Sequence, residues 1–240
     1  MMGPPRGVVF DLDGTLVLSH HDFGRMREAI LRVASKYGAP RESLVQPETL
    51  GTSATMASAH RALTKLDATG STLARFEIEC AQQIDTIEQE AVDRTVERAG
   101  AATLLRGQYA AEVQLGLFTR SSDAFCRAVL SKFGWTSLFS SVRTRSAPGP
   151  AKPSREALRR LLEKMGLEPP EVVYVEDHLE DARCSSDLGV TFYAVLPDPS
   201  SPTSFARGEF LALGSAGVVI DLHELVSRFS IPNSGPGGRT

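Results

Sequence analysis

The 240-residue sequence predicts an α/β fold: a doubly wound parallel sheet with an all-helical insert after its first strand. Three observations predict it. A short apolar run, Val8-Val9-Phe10, ends in two carboxylates one residue apart, Asp11 and Asp13, followed at once by Gly14 and Thr15. From Ala101 onward, apolar runs of strand length alternate with stretches of helical period, the pattern of a parallel sheet covered on both faces. Between about Leu18 and Gly100 the apolar residues instead repeat at three to four, with no convincing strand.

Taken in order, Val8–Phe10 is rich in β-branched and aromatic residues and reads as a buried strand, and Asp13-Gly14 turns the chain at its end. Phe23, Met26, Ile30, Val33 and Tyr37 lie on one helical face, and Gly38 and Pro40 stop that helix. A second helix is predicted from Ser53 to Leu66. A third, the strongest periodic stretch, carries Leu73, Phe76, Cys80, Ile84, Ile87 and Ala91. Its Glu, Gln, Asp and Arg residues read as a solvated face.

The alternating region opens with a helix around Ala102 to Tyr109 and a strand from Val113 to Thr119. A helix follows with Phe125, Val129 and Phe133 on one face and Gly134 as its stop. A short strand, Ser141 to Thr144, leads to a Pro/Gly-rich loop, Ser146 to Ala151. Pro153 suits the first turn of the next helix, whose stripe is Leu158, Leu161, Leu162 and Met165, ended by Gly166. Then come the strand Val172–Glu176, a helix to Leu188, the strand Thr191–Val195, a helix near Phe205 to Leu213, the strand Val218–Ile220 and a short helix from Leu222. The tail from Asn233 has nothing to bury and is expected to be disordered.

Composition excludes some roles. A net charge of −3 offers no basic field for nucleic acid. No apolar stretch is long enough to span a membrane, and Met1 to Arg6 leaves no room for a signal peptide's apolar region. Cys80, Cys126 and Cys184 form neither a metal pattern nor a disulfide framework, which fits a reducing compartment. The cytosol is the expected location.

In parallel α/β sheets, chemistry sits outside the carboxyl ends of the strands. The first strand ends in Asp11 and Asp13, the next in Thr119-Arg120-Ser121, and a later one in Glu176-Asp177, with Asp181 four residues on. Lys152 stands at the mouth of the helix expected at Pro153. Asp177 and Asp181 would face the same way if a helix starts near His178. Clustered carboxylates suit Mg²⁺, which takes few protein ligands and keeps waters for a phosphate. Backbone N–H groups in the turn after Asp11, with Thr119 and Lys152, could hold phosphate oxygens. One aspartate can then attack phosphorus while a second, two residues on, moves protons.

Asp11-Leu12-Asp13-Gly14-Thr15, Thr119, Lys152 and Glu176-Asp177 with Asp181 resemble, in order and spacing, the four motifs of the haloacid dehalogenase superfamily of phosphohydrolases. The resemblance covers roughly Gly7 to Val17 and Ala101 to Ile220. It implies a Rossmann-like core (residues 7–17 and 101–229), a helical cap (18–100) and a tail (230–240). It further implies Asp11 as nucleophile, Asp13 as general acid/base, and Thr119 and Lys152 on the phosphoryl group. Mg²⁺ would lie on Asp11, Asp177 and the Asp13 carbonyl. Asp181 would bind metal through water or orient Lys152.

Three positions depart from common family patterns: Glu176 where Gly or Asp is frequent, His178 for Ser, and Arg120 for Asn. Arg120 is grouped with the phosphate ligands and Glu176 with the supporting acids. His178 either contacts substrate or is a surface residue of a helix's first turn. Because dehalogenases need no leaving-group proton, Asp13 favours phosphate esters. The expectation is a Mg²⁺-dependent phosphatase acting on a small phosphorylated metabolite and resembling phosphoglycolate phosphatases. A phosphoglucomutase and a catalytically retired phospho-ligand or partner binder are the alternatives.

Other residues have plainer readings beside functional ones. His20-His21 suits a linker as well as a metal pair. Arg143 and Arg145 could meet an anionic substrate. Gly51-Thr52-Ser53 is a helix start or a specificity loop. Cys184 and Trp135 read as packing residues.

Overall fold

A computed structural model describes residues 5–44, 51–66, 68–196 and 207–229. The elements run β1 (Gly7–Phe10), β2 (Val17–Leu18), α1 (Phe23–Lys36), α2 (Thr52–Lys65), α3 (Gly70–Glu90), β3 (Val96–Glu97), α4 (Ala101–Ala110) and β4 (Gln114–Phe118). They continue with α5 (Asp123–Lys132), β5 (Phe139–Arg143), α6 (Arg155–Met165), β6 (Val172–Glu176), α7 (Leu179–Leu188), β7 (Thr191–Val195), α8 (Arg207–Ala212), β8 (Gly217–Val219) and α9 (His223–Phe229). The chain divides into two compact units, residues 1–19 with 95–240, and residues 20–94.

The first unit is a six-stranded parallel sheet in the order β5-β4-β1-β6-β7-β8. Every residue of β1 is buried, because the strand is central and both its faces are covered; that is why Val8-Val9-Phe10 reads as a continuous apolar run. Val8 pairs with Leu115 of β4 on one side and Val173 of β6 on the other. The tips of β4, β1 and β6 are therefore neighbours. On one face, Leu158, Leu161, Leu162 and Met165 of α6 join Val9, Phe118, Tyr174 and Phe192 in one buried cluster. Burial of such side chains stabilises by about 1.5–3 kcal/mol each.

The second unit packs Met26, Ile30, Val33 and Ala34 of α1, Ala59 and Leu63 of α2, and Phe76, Cys80, Ile84 and Ile87 of α3 into a core of its own. Of the residues read from periodicity as its stripes, Met26, Ile30, Val33, Phe76, Cys80, Ile84, Ile87 and Ala91 are buried and Tyr37 and Leu73 partly so, whereas Phe23, at the start of α1, is 48% exposed. Polar faces carry exposed ion pairs such as Lys36–Glu79 (2.7 Å) and Arg41–Glu28 (2.8 Å), each contributing about 0–1 kcal/mol. Asp22 starts α1 by accepting from the Arg25 amide at 2.9 Å. The fold is thus α/β, with α1–α3 inserted after β2.

Two local expectations need correction. β2 and β3 pair antiparallel at either side of the helical segment, Val17 with Glu97 and Leu18 with Val96; strands of two residues are too short for alternation to register. α6 begins at Arg155, not Pro153, because the Ser154 hydroxyl accepts from the Ala157 amide and takes the N-cap, leaving Pro153 outside the helix. The third helix ends at Glu90 with Ala91 as its C-cap, where its apolar stripe ends. Phe205 and the tail from residue 230 lie outside the described residues. No described helix is long and apolar enough to cross a membrane.

Candidate active site

The ladder between β1 and β6 extends one residue past the strand, Asp11 N donating to Val175 O at 3.1 Å. This places the Asp11 carboxyl at the sheet's carboxyl edge, 5% exposed. The turn beyond is built from its own backbone: Gly14 N donates to Val17 O at 2.8 Å, and Leu16 N and Val17 N both donate to Leu12 O at 2.9 Å. The Asp13 carboxylate is half-buried and its Oδ1 accepts from Ser19 N at 3.0 Å.

Gly14 has a left-handed φ of +87°, and a Cβ there would lie 2.2 Å from Asp177 Oδ2. Thr15 Oγ1 donates to Asp177 Oδ1 at 3.4 Å. The Asp-Gly-Thr sequence thus has a steric reason as well as a conformational one: only glycine admits the second acid this close. Gly14→Ala is expected to displace Asp177 and cut kcat/KM by about 10²-fold, with overall fold retained by circular dichroism. Activity within twofold of wild type would contradict that steric account.

Lys152 is the buried hub. Its Nζ donates to Asp11 Oδ1 and to Glu176 Oε2, both at 2.6 Å, and lies 3.8 Å from Asp181 Oδ2. It also sits over the rings of Tyr174 and Phe118, 5.7 and 5.8 Å from the centroids. Burial opposes its charge, but Asp11, Asp181 and Glu176 outweigh burial and hold the ammonium above its ordinary range. Glu176 is held on both oxygens: Oε2 also accepts from Tyr174 OH at 2.9 Å, and Oε1 from His178 N at 3.0 Å.

The carboxyls show the opposite strain. Burial, partly offset by Lys152, pushes Asp11 up to about 7. Burial followed by the neighbouring Glu176 and Asp11 charges pushes Asp177 well above the carboxylate range, and burial raises Glu176 and Asp181. The protein has gathered more negative charge here than its own cations satisfy.

Asp11, Glu176 and Asp177 each offer a carboxylate oxygen within 4.8 Å of the others. These hard donors and their excess charge fit a divalent cation such as Mg²⁺. With both Glu176 oxygens engaged by protein donors, Asp11 and Asp177 are the acids suited to hold it. His20-His21 is not in this group.

Thr119, buried beyond β4, receives Ser121 N on its Oγ1 at 3.1 Å, while its own N–H donates to Arg143 O at 3.0 Å. Arg120 faces the acids after β6, donating to Asp181 Oδ2 at 2.9 Å and Glu180 Oε2 at 3.2 Å. His178 is the N-cap of α7: its Nδ1 accepts from Glu180 N at 3.3 Å. Burial and the Arg120 charge lower it to about 4, so the ring is neutral near pH 7 with its proton on Nε2.

Arg143 and Arg145, which the sequence offers to an anionic substrate, bond to loop carbonyls. Arg143, buried, donates to Pro148 O at 3.0 Å and Pro150 O at 2.7 Å, anchoring the loop that carries Lys152. Arg145 donates to Arg120 O at 2.7 Å. These guanidinium groups serve loop carbonyls. Arg98 and Tyr174 carry no sequence signal: an arginine between elements and a tyrosine within a strand have no pattern to mark them.

A parallel sheet with paired aspartates at its central tip, a hydroxyl on one side and a lysine-bound acid cluster on the other is the arrangement the four motifs anticipated. The family model for haloacid dehalogenase-like hydrolases matches residues 5–185. The chain belongs to that family of enzymes. Among curated relatives, the phosphoglycolate phosphatase of Rhodospirillum rubrum is 27% identical over 244 aligned positions, covering 98% of this chain and 94% of that one. The phosphoglycolate phosphatase of Psychrobacter arcticus is 26% identical over 176, covering 72% and 76%. A solved haloacid dehalogenase-like hydrolase from Bacteroides fragilis superimposes with a TM-score of 0.67 at 19% identity, covering 92% of this chain and 99% of that one.

Proposed function

We propose that the chain is a Mg²⁺-dependent phosphatase that hydrolyses a small phosphomonoester through an aspartyl-phosphate on Asp11. The observation that carries this reading is the Asp11 carboxyl itself. It is buried at the tip of the central strand, bonded to Lys152 at 2.6 Å, and two residues from a second, less buried acid.

An Asp11 oxygen attacks phosphorus as the ester P–O bond breaks, and Asp13 gives its proton to the departing oxygen. A water then attacks phosphorus, releasing phosphate from Asp11 and returning a proton to Asp13. Thr119 and Lys152 neutralise the phosphoryl oxygens. Arg120 is the next candidate, held close to the rim by Asp181 and Glu180. Glu176 and Asp181 keep Lys152 charged and in place, and His178 offers its Nε2–H to substrate. Asp11, Asp177 and the Asp13 carbonyl would hold Mg²⁺, which would supply the positive charge that lets carboxylates and a phosphate dianion share one site.

The substrate class is a phosphorylated hydroxy acid such as 2-phosphoglycolate, supported by the names of the two curated relatives. The helical insert, residues 18–100, is the cap domain of this reading, and its side chains set substrate choice. Cytosol accords with three buried cysteines that form no disulfide.

A phosphomonoester panel with Mg²⁺ tests the reading: phosphate release, with alkyl phosphates such as 2-phosphoglycolate among the best substrates, is expected. Interconversion of a sugar phosphate, or binding without turnover across the panel, would overturn it. A second measurement needs no turnover. Mg²⁺ at about 100 times its Kd adds about 2.7 kcal/mol of stability, roughly 5–10 °C in Tm for a domain this size. Asp177→Asn is expected to lose most of that shift, and a full shift in the variant would remove Asp177 from the metal.

A further inference from the structure

Arg98 follows β3 directly and is buried. Its backbone N–H donates to Leu16 O at 3.0 Å, so its main chain is tied to the turn after Asp11. Its side chain returns to the same turn: Nη1 donates to Gly14 O at 2.5 Å. Nη2 donates to Ile220 O at 3.1 Å and to Leu196 O. Leu196 and Ile220 are the residues just past β7 and β8. One rigid, planar cation thus braces the Asp13-Gly14 turn against the tips of two other strands.

The placement has a physical purpose at Gly14. With φ at +87° and no side chain, this residue is the least restrained link of the turn. Its carbonyl belongs to the Gly14–Thr15 peptide, so holding it fixes ψ of Gly14 and with it the path of the turn that leaves Asp13. A hydrogen bond from a charged donor to a buried carbonyl is among the stronger ways to fix it. Arg can serve three carbonyls at once through its fork; Lys, a single ammonium on a flexible stem, cannot reproduce that geometry.

We propose that Arg98 is a positioning residue for proton transfer: it holds the Asp13-Gly14 turn so that the Asp13 carboxyl meets the leaving oxygen. The inference rests on the reading of Asp13 as general acid given above.

The test is leaving-group dependence. p-Nitrophenyl phosphate departs as a weakly basic phenolate and needs little protonation, whereas an alkyl phosphate requires the acid. Removing general acid catalysis costs about 10²–10⁴-fold where a proton is needed. Arg98→Ala, checked for fold by circular dichroism, is expected to lose at least about 30-fold in kcat on the fastest alkyl phosphate of the panel and under about threefold on p-nitrophenyl phosphate, with KM little changed. Arg98→Lys, which keeps a buried cation, is predicted to show the same selective loss and is the variant to read if Arg98→Ala does not fold. Equal losses on both substrates, or none, in a folded variant would overturn the proposal. Asp13→Asn run in parallel separates the two claims. Absence of selectivity in Asp13→Asn sinks the general-acid reading itself, while selectivity there without selectivity at Arg98 sinks only the positioning role.

Discussion

Asp11→Asn is expected to abolish phosphatase activity, by about 10⁴-fold or more in kcat, while leaving the fold intact. The amide matches the carboxylate in shape and its oxygen can still accept from Lys152, which donates to Asp11 at 2.6 Å. It cannot form a stable acyl-phosphate. The same substitution separates function from stability. Burial raises the Asp11 pKa to about 7 from an ordinary 3.8, so the folded protein holds that proton more tightly than the unfolded chain. As pH rises from about 4 to 7 the unfolded state loses its proton first, and the fold loses stability across that window. Asparagine carries no such cost, and Lys152 keeps the Glu176 carboxylate as its partner at 2.6 Å. Without added metal, Asp11→Asn is therefore predicted to melt above the wild type at pH 8, with the difference shrinking toward pH 4. A variant that melts well below the wild type at pH 8 would contradict the burial argument.

Lys152→Met is expected to damage both activity and stability. Methionine preserves the buried stem but leaves Asp11 and Glu176, each 2.6 Å from the lost ammonium, without their cation. Breaking a buried ion pair from one side costs about 3–5 kcal/mol, or roughly 6–20 °C in Tm for a protein of this length. Loss of the cation also raises the pKa of both acids further, so the destabilisation should be largest above neutrality and smaller at pH 5, where they can protonate. Activity is predicted to fall by about 10³-fold, a loss of the size seen when an electrostatic stabiliser is removed. Thermal melts at pH 5 and 8 with assays at saturating Mg²⁺ check both halves. A variant as stable as the wild type at pH 8 would mean that Lys152 is not the counter-ion of this cluster.

How much of this was legible in the sequence depends on the kind of signal each feature leaves. Asp11, Thr119 and Asp177 could be read because polar groups closing apolar strands are unexpected, and a parallel sheet brings such ends to one edge. The three helices of residues 20–94 could be read because Met26, Ile30, Phe76, Cys80 and Ile84 keep helical period and are buried. β2 and β3 left no trace, since two residues cannot alternate, and Val96 and Glu97 are exposed. Pro153 misled because a proline at a helix's first position is so often right; the hydroxyl of Ser154 competed for the same end and won.

The supporting charges were harder. Lys152 and Asp11 are 141 residues apart, and nothing in either neighbourhood says that they bond. Glu176 reads as a supporting acid with no partner marked in the sequence, and the structure surrounds it with Lys152, Tyr174 and the His178 amide. Arg143 and Arg145 suggested an anionic ligand, and their donors go to backbone carbonyls instead. Sequence patterns expose a residue's chemistry; which atom satisfies it is a property of the fold.

The most direct test of the account is to catch the intermediate. The protein is mixed with its best phosphomonoester and Mg²⁺, quenched in acid during the first turnovers, and reduced with borohydride, which converts an aspartyl-phosphate to homoserine. Peptide mass spectrometry is predicted to find homoserine at position 11 alone, and only when substrate was present. Turnover with an unmodified Asp11, or homoserine at any other aspartate, would contradict it.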